Sequence, residues 1–205
     1  MTAIGVLALQ GAFREHVFML RKCGADAREI RIPGELDRVS GLIVPGGEST
    51  TISKLMVEYG FPEKIREFSN RGNPIFGTCA GAIVLSRRSG GKRQDLLDLI
   101  DTDIERNAYG RQADSRELDL PMPFLGPPAF RVIFIRAPII RSLDEAVLPL
   151  AVYNNTVILA RQKNILVATF HPELTTDGRI HEYFLRMVED ASQGLPAEQE
   201  KAKCP

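Results

Sequence analysis

The chain has 205 residues, 44% of them hydrophobic, and its 26 Lys plus Arg are matched by 26 Asp plus Glu. This length can bury one substantial core, and the balanced charge offers no basic face to draw it onto nucleic acid or an anionic membrane, which leaves small molecules or another protein as ligands. Three widely spaced cysteines, Cys23, Cys79 and Cys204, fit neither a disulfide framework nor a CxxC metal site, so no metal or cofactor is expected.

In chain order, "AIGVLAL" (3 to 9) reads as a buried strand, followed by a helix over 13 to 23 in which Phe13, Val17 and Leu20 share one face and Gly24 provides the stop. "AREIRI" and "GLIV" (41 to 44) are further strands. The second runs into "PGGES", and Ser49 or Thr50 then caps a helix through "TISKLMVEY". A helix at "PEKIREFS", a strand at "PIFGT" and a helix at "AGAIVLS" complete an alternating pattern typical of parallel strands joined by crossover helices. From about residue 90 the pattern becomes shorter, partly antiparallel strands, including "AFRVIFIRAP" and the pair "TVILAR" and "NILVATF", before a helix over 178 to 190. One domain over 1–190 is expected. The tail 191–205 has almost no apolar content and is expected to be mobile. No apolar run is long enough to cross a bilayer and the N-terminus lacks the pattern of a signal peptide, so a cytoplasmic location is expected.

Cys79 falls at a strand-to-helix junction in the frame Gly77-Thr78-Cys79-Ala80-Gly81, the cysteine form of a nucleophile elbow. Small flanking residues suit a tight crossing of helix and strand, and amides at a helix start favour a thiolate. Free cysteine is also among the most buried residue types, so the motif alone leaves a nucleophile and a packed thiol equally open. A partner base decides between them. His16, beside Arg14 and Glu15, is expected at the surface or an interface, and His181 is expected to be structural. His171 follows the apolar strand "ILVATF" and projects from a sheet end, where α/β enzymes keep their sites. In extended backbone Glu173 would lie on the same side as His171, where a carboxylate can orient an imidazole. Joined to the elbow, these two residues favour a Cys79–His171–Glu173 triad. "PGGEST" (45 to 50) can aim backbone amides into a cleft, and it lacks the Gly-Lys-Ser/Thr of a phosphate-binding loop.

The segments "GVLALQGAFREH", "GLIVPGGESTTI", "FGTCAGAI", "ERNAYGRQADS", "FIRAP" and "FHPELTTDGRIHEYF", in order from residue 4 to about 186, closely resemble the glutaminase subunits of pyridoxal 5'-phosphate synthase complexes, within the class I (triad) glutamine amidotransferases. The resemblance implies an α/β fold, a three-layer flavodoxin-like domain whose central sheet is mostly parallel with an additional antiparallel part. It implies hydrolysis of L-glutamine to L-glutamate and ammonia. The ammonia would pass to a separate synthase (lyase) subunit in a large hetero-oligomer, which makes pyridoxal 5'-phosphate from ribose 5-phosphate and glyceraldehyde 3-phosphate and which activates the glutaminase on docking. Carried over, Cys79 is the nucleophile, His171 the general base and acid, and Glu173 its orienting partner. Gly47 and Ala80 supply the oxyanion hole, with Gln10 nearby, and Gly46, Gly47, Glu48, Ser49, Arg106, Ile135 and Arg136 contact glutamine. Arg116 stands where the family usually has an aromatic residue. A cysteine-elbow enzyme of other chemistry, and a regulatory subunit with a vestigial triad, are the competing readings. An intact Cys79, His171 and Glu173 disfavour both.

Overall fold

The computed structural model describes residues 3–93, 96–106 and 115–195. Its elements in chain order are β1 (Ala3–Leu7), α1 (Phe13–Lys22), β2 (Asp26–Ile30), β3 (Gly41–Val44), α2 (Ser49–Glu58), α3 (Phe61–Asn70), β4 (Ile75–Thr78) and α4 (Ala80–Leu85). They continue with β5 (Ser86–Ser89), β6 (Lys92–Arg93), β7 (Ile100–Glu105), β8 (Arg116–Leu120), β9 (Phe130–Phe134), β10 (Ile139–Leu143), β11 (Leu148–Tyr153), β12 (Thr156–Gln162), β13 (Ile165–Ala168) and α5 (Arg179–Ser192).

The principal sheet has seven strands in the order β11-β12-β13-β4-β3-β1-β2. From β13 to β2 all neighbours are parallel, and β11 and β12 extend the sheet antiparallel. A four-stranded sheet, β10-β7-β5-β6, and the antiparallel pair β8-β9 hold the remaining strands, β5 to β10. The fold is thus the α/β architecture expected from the alternating pattern, with the antiparallel part added where the pattern changed.

Strand periodicity sorts the core into two sides of the sheet. Leu42 and Val44 of β3, Ile75 of β4 and Ile165 and Val167 of β13 pack with Ile52 and Met56 of α2 and with Ile65 and Phe68 of α3. Their alternates Ile43, Phe76, Leu166 and Ala168 pack with Val17 and Leu20 of α1 and with Ile180 and Phe184 of α5. Helices cover both faces, and so the parallel strands are apolar on both. Burying a side chain such as Phe76 or Phe184 on this scale contributes ~1.5–3 kcal/mol each. Among the described residues no helix is long and apolar enough to cross a membrane.

Four local expectations are corrected. The cap of α2 is Glu48, one position earlier than Ser49: its carboxylate accepts the amides of Thr50 at 3.2 Å and Thr51 at 2.7 Å, a longer acceptor reaching the donors a hydroxyl would have met. His16 is not a surface residue but fully buried. His171 and Glu173 are not joined by extended backbone, because Pro172–Leu174 forms a 3-10 turn that brings the two side chains together. The last helix runs to Ser192, so the first residues assigned to the tail are helical; residues 196–205, including Cys204, lie outside the described residues, as do 107–114 of "ERNAYGRQADS".

Candidate active site

The C-terminal ends of β3, β4 and β13 converge on Cys79. Its backbone N–H donates to the Ala168 carbonyl at 2.8 Å, which ties the elbow to β13, and the residue sits at φ 48° and ψ −104°. A positive φ is costly for a residue with a side chain, and here the strain is held by close packing on both sides of the turn. A Cβ on Gly81 would collide with the Val44 carbonyl, and one on Gly77 would meet the backbone of Gly81 at 2.8 Å and of Ala82 at 2.9 Å. The glycines beside Cys79 therefore allow α4 to cross directly over β3 and β4. The thiol Sγ faces the carbonyl of Ile135 at 3.9 Å.

His171 leaves the end of β13 with its own N–H bonded to the Ile133 carbonyl at 2.9 Å, and its Nδ1 lies 2.7 Å from Glu173 Oε1. All three side chains are nearly buried, with Cys79 and His171 7% and Glu173 4% exposed. Burial opposes a charged imidazole, but a hydrogen bond with Cys79 and the bond and charge of Glu173 outweigh it and raise the His171 pKa to about 10. For Glu173 burial again opposes charge. His16 and His171, together with the backbone amide of Glu173 itself, overcome it and keep the carboxyl below its ordinary range. The arrangement can hold a proton on the imidazole beside the sulfur.

Gly46 lies against this pair, since a Cβ there would collide with the His171 ring and come within 3.3 Å of Cys79 Cβ. Its loop is pinned from two directions: Gly46 N–H donates to Thr78 Oγ1 at 3.0 Å, and the Gly46 carbonyl accepts from Ala12 N–H at 2.9 Å. Gln10 Oε1 accepts the Glu48 amide at 2.8 Å and crowds Gly47. The cleft beside Cys79 has a volume of about 580 Å³. Gly46, Gly47, Glu48, Ser49, Ala80, Arg106, Ile135, Arg136 and His171 all border it, while Glu173 stands behind His171. Arg106 Nη1 donates to Ser49 Oγ and Thr50 Oγ1, each at 2.8 Å, and Arg136 adopts a left-handed φ of 46° at the turn after β9. Side-chain and backbone hydrogen bonds from Thr51, with a backbone bond from Thr50, lower the Glu48 pKa to about 2. A somewhat larger groove of about 670 Å³ is lined by Ser40, Asn73 and Asn164, which precede β3, β4 and β13. It therefore lies at the opposite end of the sheet from the thiol. Among the described residues no cluster of His, Cys, Asp and Glu is arranged to hold a metal ion.

Sequence reasoning gave Thr78 no role, put His16 at the surface or an interface, and read His181 as structural without its contact to His16. His16 Nε2 is 3.0 Å from Thr78 Oγ1 and 3.4 Å from Glu173 Oε2, and its Nδ1 is 2.9 Å from His181 Nε2. The signal was present: Phe13, His16, Val17 and Leu20 stand at i, i+3, i+4 and i+7, so the histidine occupies a place in the inward stripe of α1.

A thiol on a strained elbow of a doubly covered parallel sheet, with a histidine–carboxylate couple behind it and a glycine loop before it, defines the class I type of glutamine amidotransferase. More narrowly, the chain belongs to the SNO glutamine amidotransferase family, whose model matches residues 6–190. It is 49% identical over 185 residues to "Pyridoxal 5'-phosphate synthase subunit PdxT" of Moorella thermoacetica, covering 90% of this chain and 98% of the relative. To the protein of the same name from Thermosipho africanus it is 51% identical over 185 residues, again covering 90% and 98%. A solved structure described as a glutamine amidotransferase matches with a TM-score of 0.85 and 46% identity, covering 91% of this chain and 98% of its own. A chain in the structure of PurLQS from Thermotoga maritima, at 14% identity and a TM-score of 0.64, covers 91% of this chain and 99% of its own and shares the fold alone.

Proposed function

We propose that this chain is the glutaminase subunit of a pyridoxal 5'-phosphate synthase. It hydrolyses L-glutamine and delivers the ammonia to a separate synthase subunit that makes pyridoxal 5'-phosphate, a form of vitamin B6, from ribose 5-phosphate and glyceraldehyde 3-phosphate. The observation that carries the chemistry is that Cys79 and His171 border one cleft with Glu173 behind the ring, the imidazole bonded to Glu173 at 2.7 Å and raised toward the charged form beside the thiol. The identity of about half the residues with synthase subunits along nearly their whole length supports the pathway.

In this reading the Cys79 sulfur attacks the side-chain carboxamide carbon of glutamine. The carbonyl oxygen becomes an oxyanion and accepts hydrogen bonds from the amides of Gly47 and Ala80. The imidazolium of His171 gives its proton to the nitrogen as the C–N bond breaks, so ammonia leaves and a thioester remains on Cys79. His171, now neutral, takes a proton from water as the water adds to the thioester, and collapse releases glutamate and restores the thiolate–imidazolium pair. Glu173 keeps the ring oriented and favours its charged form throughout. Arg106 and Arg136 suit the α-carboxylate of glutamine through their forked donors, and the anionic Glu48 at the same rim suits its α-ammonium. Ammonia released into bulk water would be protonated and unreactive, so a docked partner with a protected path belongs to the function.

The test is glutamate release measured with and without the synthase subunit. Glutamine-dependent release that rises on docking is expected, and zero release in both conditions would overturn the proposal.

A further inference from the structure

The reaction as described leaves a buried polar network beside the triad without a role. His16 of α1 and His181 of α5 are each 0% exposed, 165 positions apart in the chain and 2.9 Å apart at His16 Nδ1 and His181 Nε2. From the other side of the same ring, His16 Nε2 reaches Thr78 Oγ1 at 3.0 Å and Glu173 Oε2 at 3.4 Å. Thr78 Oγ1 is also the acceptor for the Gly46 amide, at 3.0 Å. One imidazole thus touches both the carboxylate behind the proposed base and the strand residue that anchors the glycine loop.

The groups around this ring decide which nitrogen carries the proton. Burial is the largest influence on His16 and lowers its pKa. Glu173 and Glu15 pull upward, and His171 pulls downward. Burial and the neighbouring His16 also lower the pKa of His181. Both shifts favour the neutral ring, which carries one N–H donor and one acceptor nitrogen. If the His16 proton were on Nδ1, it would point at His181 Nε2 and force the His181 proton onto Nδ1, which has no hydrogen-bond partner among the described residues. Glu173 Oε2, which has no hydrogen-bond partner among the described residues, lies 3.4 Å from His16 Nε2, and a ring lone pair would then face the carboxylate. With the proton on His16 Nε2, His181 Nε2–H donates to His16 Nδ1, His16 Nε2–H donates to Thr78 Oγ1, and an N–H in place of a lone pair faces the Glu173 carboxylate at 3.4 Å. A nitrogen lone pair turned toward a buried carboxylate is the costlier arrangement.

We infer that His16, in its Nε2–H form, is a positioning residue for the reaction, holding Glu173 and Thr78 in register so that one contact fixes both the orientation of His171 and the seat of the Gly46–Gly47 loop. This rests on reading Cys79, His171 and Glu173 as the reacting centre. His181 selects the proton position by donating to Nδ1.

Two measurements test it. Long-range nitrogen–proton NMR of the wild-type full-length chain, with 15N in the histidine rings, reads the proton position without any substitution. The His16 ring is expected neutral and protonated on Nε2; a proton on Nδ1, or on both nitrogens, overturns the inference. The second compares His16→Leu and His16→Gln in the complex with the synthase subunit. His16→Leu is expected to lower kcat for glutamate release about 10- to 100-fold, the loss of one buried N–H that bonds Thr78 and faces the Glu173 carboxylate, while KM stays within about twofold. The acidic limb of its pH profile moves upward, because Glu173 loses the neighbouring N–H that favours its ionised form. His16→Gln, with an amide N–H near the position of Nε2–H, recovers a large part of kcat. A folded His16→Leu protein with wild-type kcat, or an equal loss in both variants with an unmoved pH profile, overturns the inference. A wild-type complex that releases no glutamate would instead overturn the proposed function, and the NMR result would stand apart from it.

Discussion

Gly46 packs against the ring of the proposed base, so Gly46→Ala is a direct probe of the site. Gly46 cannot retreat: its N–H is bonded to Thr78 Oγ1 at 3.0 Å and its carbonyl to Ala12 N–H at 2.9 Å. A Cβ there would collide with a ring carbon of His171 while lying 3.0 Å from Nδ1 and 3.3 Å from Cys79 Cβ. The ring must give way, yet Glu173 holds it at 2.7 Å on the same nitrogen. Relieving the overlap takes a displacement of roughly 1 Å, and a misplacement of that size in a reacting group costs about 100-fold in rate. Overpacking of this kind costs ~1–3 kcal/mol, which for a domain of this length is a fall in Tm of roughly 2–12 °C. The assay is glutamate release in the presence of the synthase subunit, with thermal unfolding measured alongside. A kcat about 100-fold lower with a KM that rises much less is expected, because the clash meets the reacting ring and not the arginines. A kcat within about twofold of wild type together with an unchanged Tm would refute the reasoning.

Other consequences follow from the charges. The His171 pKa is raised from 6.5 to about 10, so its stabilisation is fully present below about 6.5 and is lost as pH rises through about 10. Urea unfolding of the wild type should therefore show stability falling across that window, and Glu173→Gln should flatten the fall; an identical slope in the variant would contradict the ion-pair account. Glu48 has the opposite sign: with its pKa lowered from 4.5 to about 2, its contribution is present above about 4.5 and lost as pH falls through about 2. Glu48→Gln should lack that acid-dependent loss, and equal acid sensitivity would count against the capping role. Arg106→Lys replaces a forked donor by a point charge and should raise the KM for glutamine on the order of tenfold with little change in kcat; an unaltered KM would remove Arg106 from the substrate contacts.

Patterns that depend on neighbours in the chain were legible in the sequence. Alternation of apolar runs and amphipathic stretches located β1 to β4, and the small residues around Cys79 located the elbow at the end of β4, but nothing local showed that β13 joins β4 in parallel. The antiparallel pairing of β12 with β13 was also legible, because a short turn joins two apolar runs. What depended on long-range packing was not. His16 was misjudged from its charged neighbours Arg14 and Glu15, although it occupies the inward stripe of α1; its partners Thr78, Glu173 and His181 lie 62 to 165 positions away and have no local signature. The 3-10 turn at Pro172–Leu174 was hidden for a related reason. A proline fixes one dihedral but not the direction of the chain, and the contact of Glu173 with His171 selects the tight turn.

Cys79 stands at the centre of the account, and replacing it separates the two halves of the proposed activity. In a complex carrying Cys79→Ala, glutamate release should vanish while pyridoxal 5'-phosphate still forms when an ammonium salt is supplied, because the fold and the docked partner are retained and only the sulfur is lost. A Cys79→Ala complex that continued to release glutamate at the wild-type rate would contradict it.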